Sequence, residues 1–244
     1  MLKNIIVLYV LLLSPLLAEP LLLESGVRRN TLIELYTSEG CSSCPPAEKF
    51  LNSFYNNKEL WKTWVPVAFH VDYWDYIGWK DQYASKKFAQ RQSLYARLKH
   101  VSTVYTPAFM VNGNNWRPGF FSKSLPMDKS EVGKLRVLIK NSLVEAHFKN
   151  LKNIKSPLKL NVALLGMNLT NFIERGENEG RTAKHEFVVV GFNSEISHNK
   201  KWKMKLPALH NAQANKYALA VWVSKVDDPS PIQVVGSLLP SYKK

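Results

Sequence analysis

The chain's only two cysteines fall in one short stretch, Glu39-Gly40-Cys41-Ser42-Ser43-Cys44-Pro45-Pro46. That stretch constrains the fold more than any other feature. Before it, Thr31-Leu-Ile-Glu-Leu-Tyr36 reads as a strand. After it, Ala47, Phe50, Leu51 and Phe54 recur at i, i+3, i+4 and i+7, one apolar helical face. The pair therefore sits where a strand turns into a helix. Ser43 suits the N-cap, and Pro45 and Pro46 fall in the first turn, where backbone N–H groups have no intrahelical partner. A helix N-terminus favours negative charge. Cys41, just outside it, is expected to be the accessible thiol with a lowered pKa, and Cys44, entering the first turn, the protected one. The chemistry this suggests is a reversible dithiol–disulfide couple, with Cys41 attacking a partner disulfide and Cys44 resolving the mixed disulfide. Three other readings stay open. A structural bridge over so short a loop removes little chain entropy. Two cysteines cannot fill a tetrahedral metal shell, so a metal site needs further ligands, and His70 is a candidate third ligand for Cu(I). A non-catalytic binding module that keeps the fold without turnover is the last.

Longer motifs allow a resemblance to be stated. Glu34-Leu-Tyr-Thr-Ser-Glu-Gly-Cys-Ser-Ser-Cys-Pro-Pro-Ala-Glu48 is followed by Phe69-His-Val-Asp-Tyr-Trp-Asp-Tyr-Ile-Gly-Trp-Lys-Asp81, then by Val104-Tyr-Thr-Pro-Ala108 and Gly176-Glu-Asn-Glu-Gly-Arg181. Over residues 31–195 the chain resembles a family of bacterial secreted proteins with a thioredoxin-like fold, catalogued as a domain of unknown function. The resemblance implies a fold and an exported location, and little about substrate. It also implies that Thr106-Pro107 is a cis-proline facing the cysteines, with the Thr106 backbone free to pair with a peptide.

The rest of the chain is read as follows. Val65–Val71 is a buried strand, and Ala84, Phe88, Tyr95 and Leu98 form a helical stripe. Ala108–Asn112 is a strand that turns at Asn112-Gly113-Asn114-Asn115 into a second one near Trp116–Phe121. Asp128 and Glu131 resemble a capping box, opening a helix with Leu135, Leu138, Ile139 and Ala146 inward. After a basic, Asn-rich stretch at 148–157 the pattern changes to strands at 158–165, 186–192, 217–224 and 232–239. The expected fold class is therefore α/β, a thioredoxin-like domain at 28–150 followed by a small antiparallel β region at 155–240, packed on the first domain or continuous with it. Residues 1–18, with Lys3, an apolar core from Ile5 to Leu17 and Ala18 at its end, read as a signal peptide.

Four further groups are candidates for chemistry. Thr106 and Pro107 face the sulfurs if the fold is as the resemblance implies. The loop from His70 to Asp81 follows a parallel strand at the edge where ligands gather in open α/β sheets, so His70, Asp72, Trp74, Asp75 and Trp79 are candidates for a lid or a peptide-binding surface. The same loop can equally be a structural plug. Glu34 lies in a strand expected to be buried, where an acid near a dithiol can relay protons; its strand phase is open, and it can equally pair with a basic residue. Arg175–Arg181, with Arg and Glu alternating around two glycines, can present charge to a ligand, or equally be a tight turn between strands fixed by salt bridges.

Composition bounds the partners. The net charge is +14, with the lysines scattered rather than patterned. It leaves contact with an anionic surface open, and no nucleic-acid partner is expected. No stretch reaches the roughly 20 apolar residues of a transmembrane helix, so no span remains once the signal is cleaved. The expected location is the periplasm or the exterior, where cysteines meet an oxidising milieu. The expected partners are protein or small-molecule thiols and disulfides, with no cofactor beyond the chain's own sulfurs.

Overall fold

The computed structural model describes residues 19–117, 124–151, 154–210 and 214–240. The proposed signal peptide at 1–18 and the end of the strand expected near Trp116–Phe121 lie outside them. Strands β1 (Leu21–Glu24) and β2 (Thr31–Thr37) come first, followed by helix α1 (Pro45–Asn52), β3 (Trp64–His70), helix α2 (Lys86–Arg97), β4 (Ala108–Val111) and β5 (Asn114–Trp116). A run of strands follows: β6 (Gly133–Lys140), β7 (Leu143–Asn150), β8 (Leu158–Met167), β9 (Leu169–Phe172), β10 (Thr182–His185), β11 (Val188–Ser197), β12 (Lys201–Lys205), β13 (Lys216–Lys225) and β14 (Pro231–Leu238).

This architecture overturns the expected fold class. The described residues are 45% strand and only 13% helix, built on large multi-strand sheets rather than on a thioredoxin-like α/β domain. The main sheet has eight strands in the order β14-β13-β8-β11-β3-β2-β4-β5. Strands from the two halves of the sequence share it: β11 joins β3 in parallel at Val188 and Ala68, and β3 continues in parallel to β2. A second sheet, β1-β6-β7-β12, covers part of one face, and β9 and β10 form a separate hairpin. The sequence missed this because each half shows its own periodicity, while the pairing that joins them is non-local.

The alternation of the late strands divides the core in two. Leu160, Val162 and Leu164 of β8 and Leu219, Val221 and Val223 of β13 pack with Leu135, Val137, Phe148 and Trp202 of the second sheet. Their neighbours Ala163, Leu165, Ala220 and Trp222 join Tyr36, Phe69, Phe88 and Tyr95, the core under α2. Burying both faces in this way explains why β8 and β13 are apolar almost throughout.

The helix expected from Asp128 is absent, and a β-hairpin takes its place. Leu135, Val137 and Ile139, then Val144, Ala146 and Phe148, are buried at every second position. The turn falls at Asn141 and Ser142, both left-handed at φ 49° and 61°, the signature of a two-residue hairpin loop. Asp128 closes a local turn instead of capping a helix: its carboxylate accepts from Ser130 N–H at 2.8 Å and pairs with Arg29 at 2.8 Å.

Candidate functional site

The cysteines lie between β2 and α1, at the C-terminal end of a central strand. Cys44 itself occupies the N-cap of α1, with Pro45 and Pro46 opening the helix. Ser43, expected as the cap, turns instead to Cys41, with Oγ 3.3 Å from Sγ. Both cysteines are thiols, and both are buried, Cys41 to 1% exposure and Cys44 to 0%. The expected contrast in accessibility is thus not present in the resting structure; the contrast is electrostatic.

Four donors hold Cys41 as a thiolate. Its pKa is lowered to about 6, first by the Cys44 S–H, against the opposing effect of burial, and then by the Ser43 and Thr106 hydroxyls and the Ser43 N–H. Cys44 goes the other way. Burial raises it most, and the charge and hydrogen bond of Cys41 add to that. The two sulfurs titrate as one coupled unit, with Cys41 the more acidic member and Cys44 the less acidic.

Thr106 precedes Pro107 through a cis peptide bond and brings the aromatic loop to the site. The Trp74 indole N–H donates to Thr106 Oγ1 at 2.7 Å, which leaves the Thr106 hydroxyl proton to face Cys41. Gly40 is pressed against the same loop. A Cβ added there would stand 3.1 Å from Trp74 Cβ and 3.4 Å from Ile77 Cδ1, so only glycine fits without displacement.

The 175–181 loop clamps the cysteine turn from the other side. Asn178, buried, donates to the carbonyls of Glu39 at 2.8 Å and of Cys41 at 3.0 Å. Glu177 accepts from the Ser42 N–H at 3.1 Å. Gly176, at φ 83°, allows the chain to turn beside Trp79. The sequence suggested a turn fixed by salt bridges; an amide holding two backbone carbonyls carries the attachment to the cysteine turn.

Beside the sulfurs lies a second polar centre. Glu48, on α1, accepts from the Thr37 hydroxyl at 2.6 Å, and Thr37 also borders Cys44. His185, at the end of β10, bridges Glu48 (Nδ1 to Oε2, 3.0 Å) and Glu39 (Nε2 to Oε1, 3.0 Å). Burial lowers its pKa, but the two carboxylates outweigh that and push it up to about 10. Glu39 also accepts from Trp79 Nε1 at 2.9 Å and from Asn171 Nδ2. His70 Nδ1 meets Asp81 Oδ2 at 2.6 Å, and its ring lies 5.1 Å from that of His185. A pocket of about 380 Å³, lined by Ser38, Glu39, Pro45, Glu48, Arg181 and His185 among others, opens onto this centre.

The candidates from the sequence thus separate. Cys41, Cys44, Thr106, Pro107 and Trp74 are together. His70 and Trp79 belong to the carboxylate centre, and His70 is not brought to the sulfurs as a third ligand. Among the described residues, the group of three or more metal-ligand types that converges is Glu48, His70 and His185, without either cysteine. Asp72 contributes a loop carbonyl to Asp75 N–H, and the Asp75 carboxylate faces Asp81 N–H at 3.3 Å. Glu34 is elsewhere: three residues from Thr37, it points to the opposite face of β2. There it is buried in an ion pair with Arg91 at 2.7 Å and accepts from the Tyr95 hydroxyl at 2.5 Å. Sequence reading missed Thr37, Glu48, Glu39 and His185. Glu39 and Glu48 flank the cysteines and could have been weighed; His185 lies 144 residues beyond Cys41, and nothing local marks it.

Comparison with known proteins adds a family and a fold. Residues 32–224 match the family described as "Protein of unknown function (DUF1223)". Two solved structures are similar. Protein AGR_C_4864 from Agrobacterium tumefaciens shares 20% identity with a TM-score of 0.58, covering 88% of this chain and 97% of that one. HBP35 of Porphyromonas gingivalis shares 13% identity with a TM-score of 0.54, covering 88% of this chain and 76% of that one. No curated protein matches the chain.

Proposed function

We propose that this chain, which belongs to the DUF1223 family of proteins of unknown function, is a thiol–disulfide oxidoreductase whose couple is Cys41 and Cys44. The observation that carries the reading is geometric: two thiols stand side by side at the start of α1, with the Ser43 hydroxyl 3.3 Å from Cys41 Sγ and Thr106 turned to the same sulfur, an arrangement that lowers the pKa of Cys41 while burial raises that of Cys44. A structural pair has no use for that asymmetry, whereas a nucleophile and a resolving thiol require it.

The reaction follows from the site. The Cys41 thiolate attacks one sulfur of a partner disulfide, forming a mixed disulfide and expelling the other sulfur as a thiolate, which takes a proton from solvent. Cys41 no longer carries charge, so the electrostatic hold on the Cys44 proton is released. Once released, the Cys44 S–H can turn to the oxygen of Thr37, whose own proton is held by Glu48, so Thr37 lies on the path by which that proton leaves. Cys44 then attacks the Cys41 sulfur, closing the intramolecular disulfide and expelling the second partner thiolate. Two electrons pass to the partner, and the reverse sequence oxidises a dithiol. Trp74 and Thr106 are positioning residues for Cys41. Because the thiolate is covered, a partner reaches it by displacing the Trp74 loop or the Asn178 loop, which favours protein or small-molecule disulfides able to insert there.

The apolar stretch before Glu19 supports export, and with it a periplasmic or extracellular setting for this chemistry. Among the described residues no helix is long and apolar enough to cross a membrane. The test is trapping. A Cys44→Ser variant incubated with a disulfide-bonded protein substrate should accumulate a reductant-sensitive adduct at Cys41, and Cys41→Ser should accumulate none. Equal, negligible adduct on both would refute the reading.

A further inference from the structure

We propose that Glu48, His70 and His185 form a binding site for a divalent transition metal of borderline softness, zinc being the type case, separate from the two sulfurs and reached through the pocket between α1 and β10. One ligand atom from each of the three residues lies within 4.8 Å of the others, and all three residues are buried.

Both histidines are set up as ligands by a carboxylate behind them. Asp81 engages His70 at Nδ1 and leaves Nε2 as the ligand atom the ring has to offer. That Nε2 is fully buried and has no hydrogen-bond partner, a costly state for a ring nitrogen unless something meets it. Glu39 engages His185 at Nε2 and turns Nδ1 toward Glu48. A carboxylate fixing one ring nitrogen while the other faces the ion is the usual outer-shell arrangement of metal-bound imidazole.

Charge and access agree with a cation. Glu39, Glu48 and Asp81 place three carboxylates around two imidazoles in a buried volume. A divalent ion would supply the same positive charge as one proton on each imidazole, so metal and protons are alternatives at this centre. Two nitrogens and one carboxylate oxygen suit zinc and neighbouring divalent ions rather than calcium or magnesium. Three protein ligands leave a fourth position for water or a ligand, and Glu48 and His185 also line the pocket of about 380 Å³ that gives access to the centre.

The experiment removes the sulfurs first, so that its result is independent of the redox reading. The full chain carrying Cys41→Ser and Cys44→Ser is dialysed against Zn(II) and, separately, against Co(II). The expected result is one Zn(II) retained per chain, and a Co(II) visible spectrum of a four-coordinate nitrogen–oxygen site without thiolate charge transfer. His185→Gln and His70→Gln in that background should lose the retained zinc, and Asp81→Asn should weaken it by about 10–100-fold. Circular dichroism checks that each variant is folded; if one is not, the Co(II) spectrum of the parent with its three ligands intact decides. No zinc retained by the cysteine-free chain, a cobalt spectrum of hydrated ion only, or retention undiminished in folded His185→Gln and His70→Gln would overturn the proposal.

Discussion

At the scale of residues, the site is a matter of where one proton sits. Cys41 and Cys44 are chemically identical and almost equally buried, yet four donors converge on Cys41, whereas burial and the neighbouring Cys41 outweigh what Thr37 and the Ser38 N–H do for Cys44. The helix N-terminus supplies the setting, and the hydroxyls of Ser43 and Thr106 supply the discrimination. Thr106→Val keeps the shape and removes one donor. A hydrogen bond to a charged group contributes roughly 1.5–3 kcal/mol, so the alkylation midpoint of Cys41 should rise by about one pH unit or more. Trp74→Phe removes the indole N–H that occupies Thr106 Oγ1 and should act in the same direction, more weakly. An unchanged midpoint in Thr106→Val, measured by the pH dependence of iodoacetamide labelling, would remove Thr106 from the site. Cys41, Cys44, Thr106 and Trp74 were legible because they lie in two compact motifs. For Glu34 the sequence left a proton relay and a pairing with a basic residue both open, and Arg91 decides for the pairing, because a strand read without its neighbours does not reveal which face holds an arginine.

At the scale of elements, the lesson is in β6 and β7. Leu135, Leu138, Ile139 and Ala146 satisfy a helical stripe on paper, while Leu135, Val137, Ile139, Val144, Ala146 and Phe148 satisfy alternation about a turn. The turn decides between them, because Asn141 and Ser142 accept left-handed geometry and then lock the register of eight residue pairs. The two readings make opposite forecasts for one substitution. Ser142 sits at φ 61°, so Ser142→Gly should relieve strain and raise stability by about 1 kcal/mol. In a helix interior the same change would lower it by several tenths of a kcal/mol. Chemical denaturation of the variant distinguishes them by sign. The 175–181 loop shows a related limit: its glycines and Asn announced a turn, but that Asn178 would reach the carbonyls of Glu39 and Cys41 depends on partners far away in sequence. Asn178→Ala leaves two buried carbonyls without that donor and should cost about 1–3 kcal/mol while speeding alkylation of Cys41; labelling no faster than in the parent protein would mean that this loop does not limit access.

At the scale of the whole molecule, the β-α-β start of the chain is embedded in a sheet it does not complete. β3 lies between β2 and β11, and the Ala68 N–H donates to the Phe187 carbonyl at 2.8 Å, so the strand behind the cysteines depends on the second half of the chain. His185, which closes the carboxylate centre beside Cys44, arrives on that same half. Individual strands at 158–165, 186–192, 217–224 and 232–239 were visible as apolar runs, but whether they pack on the first domain or continue its sheet was not, because pairing between distant strands leaves no local mark. The chain should accordingly unfold in a single cooperative transition, and a fragment ending at Asn150 should lack fixed tertiary structure by near-ultraviolet circular dichroism. Two separate transitions, or a folded fragment, would contradict a shared sheet.

The proposal that the molecule works through opposed thiols is tested most directly by labelling the reduced chain with iodoacetamide from pH 4 to 10 and resolving the two sites by mass. Cys41 should label first, with a midpoint near 6, and Cys44 should remain protected until Cys41 is blocked or the chain unfolds. Equal rates at both sulfurs, with a common midpoint at the ordinary thiol value of about 8.5, would contradict it.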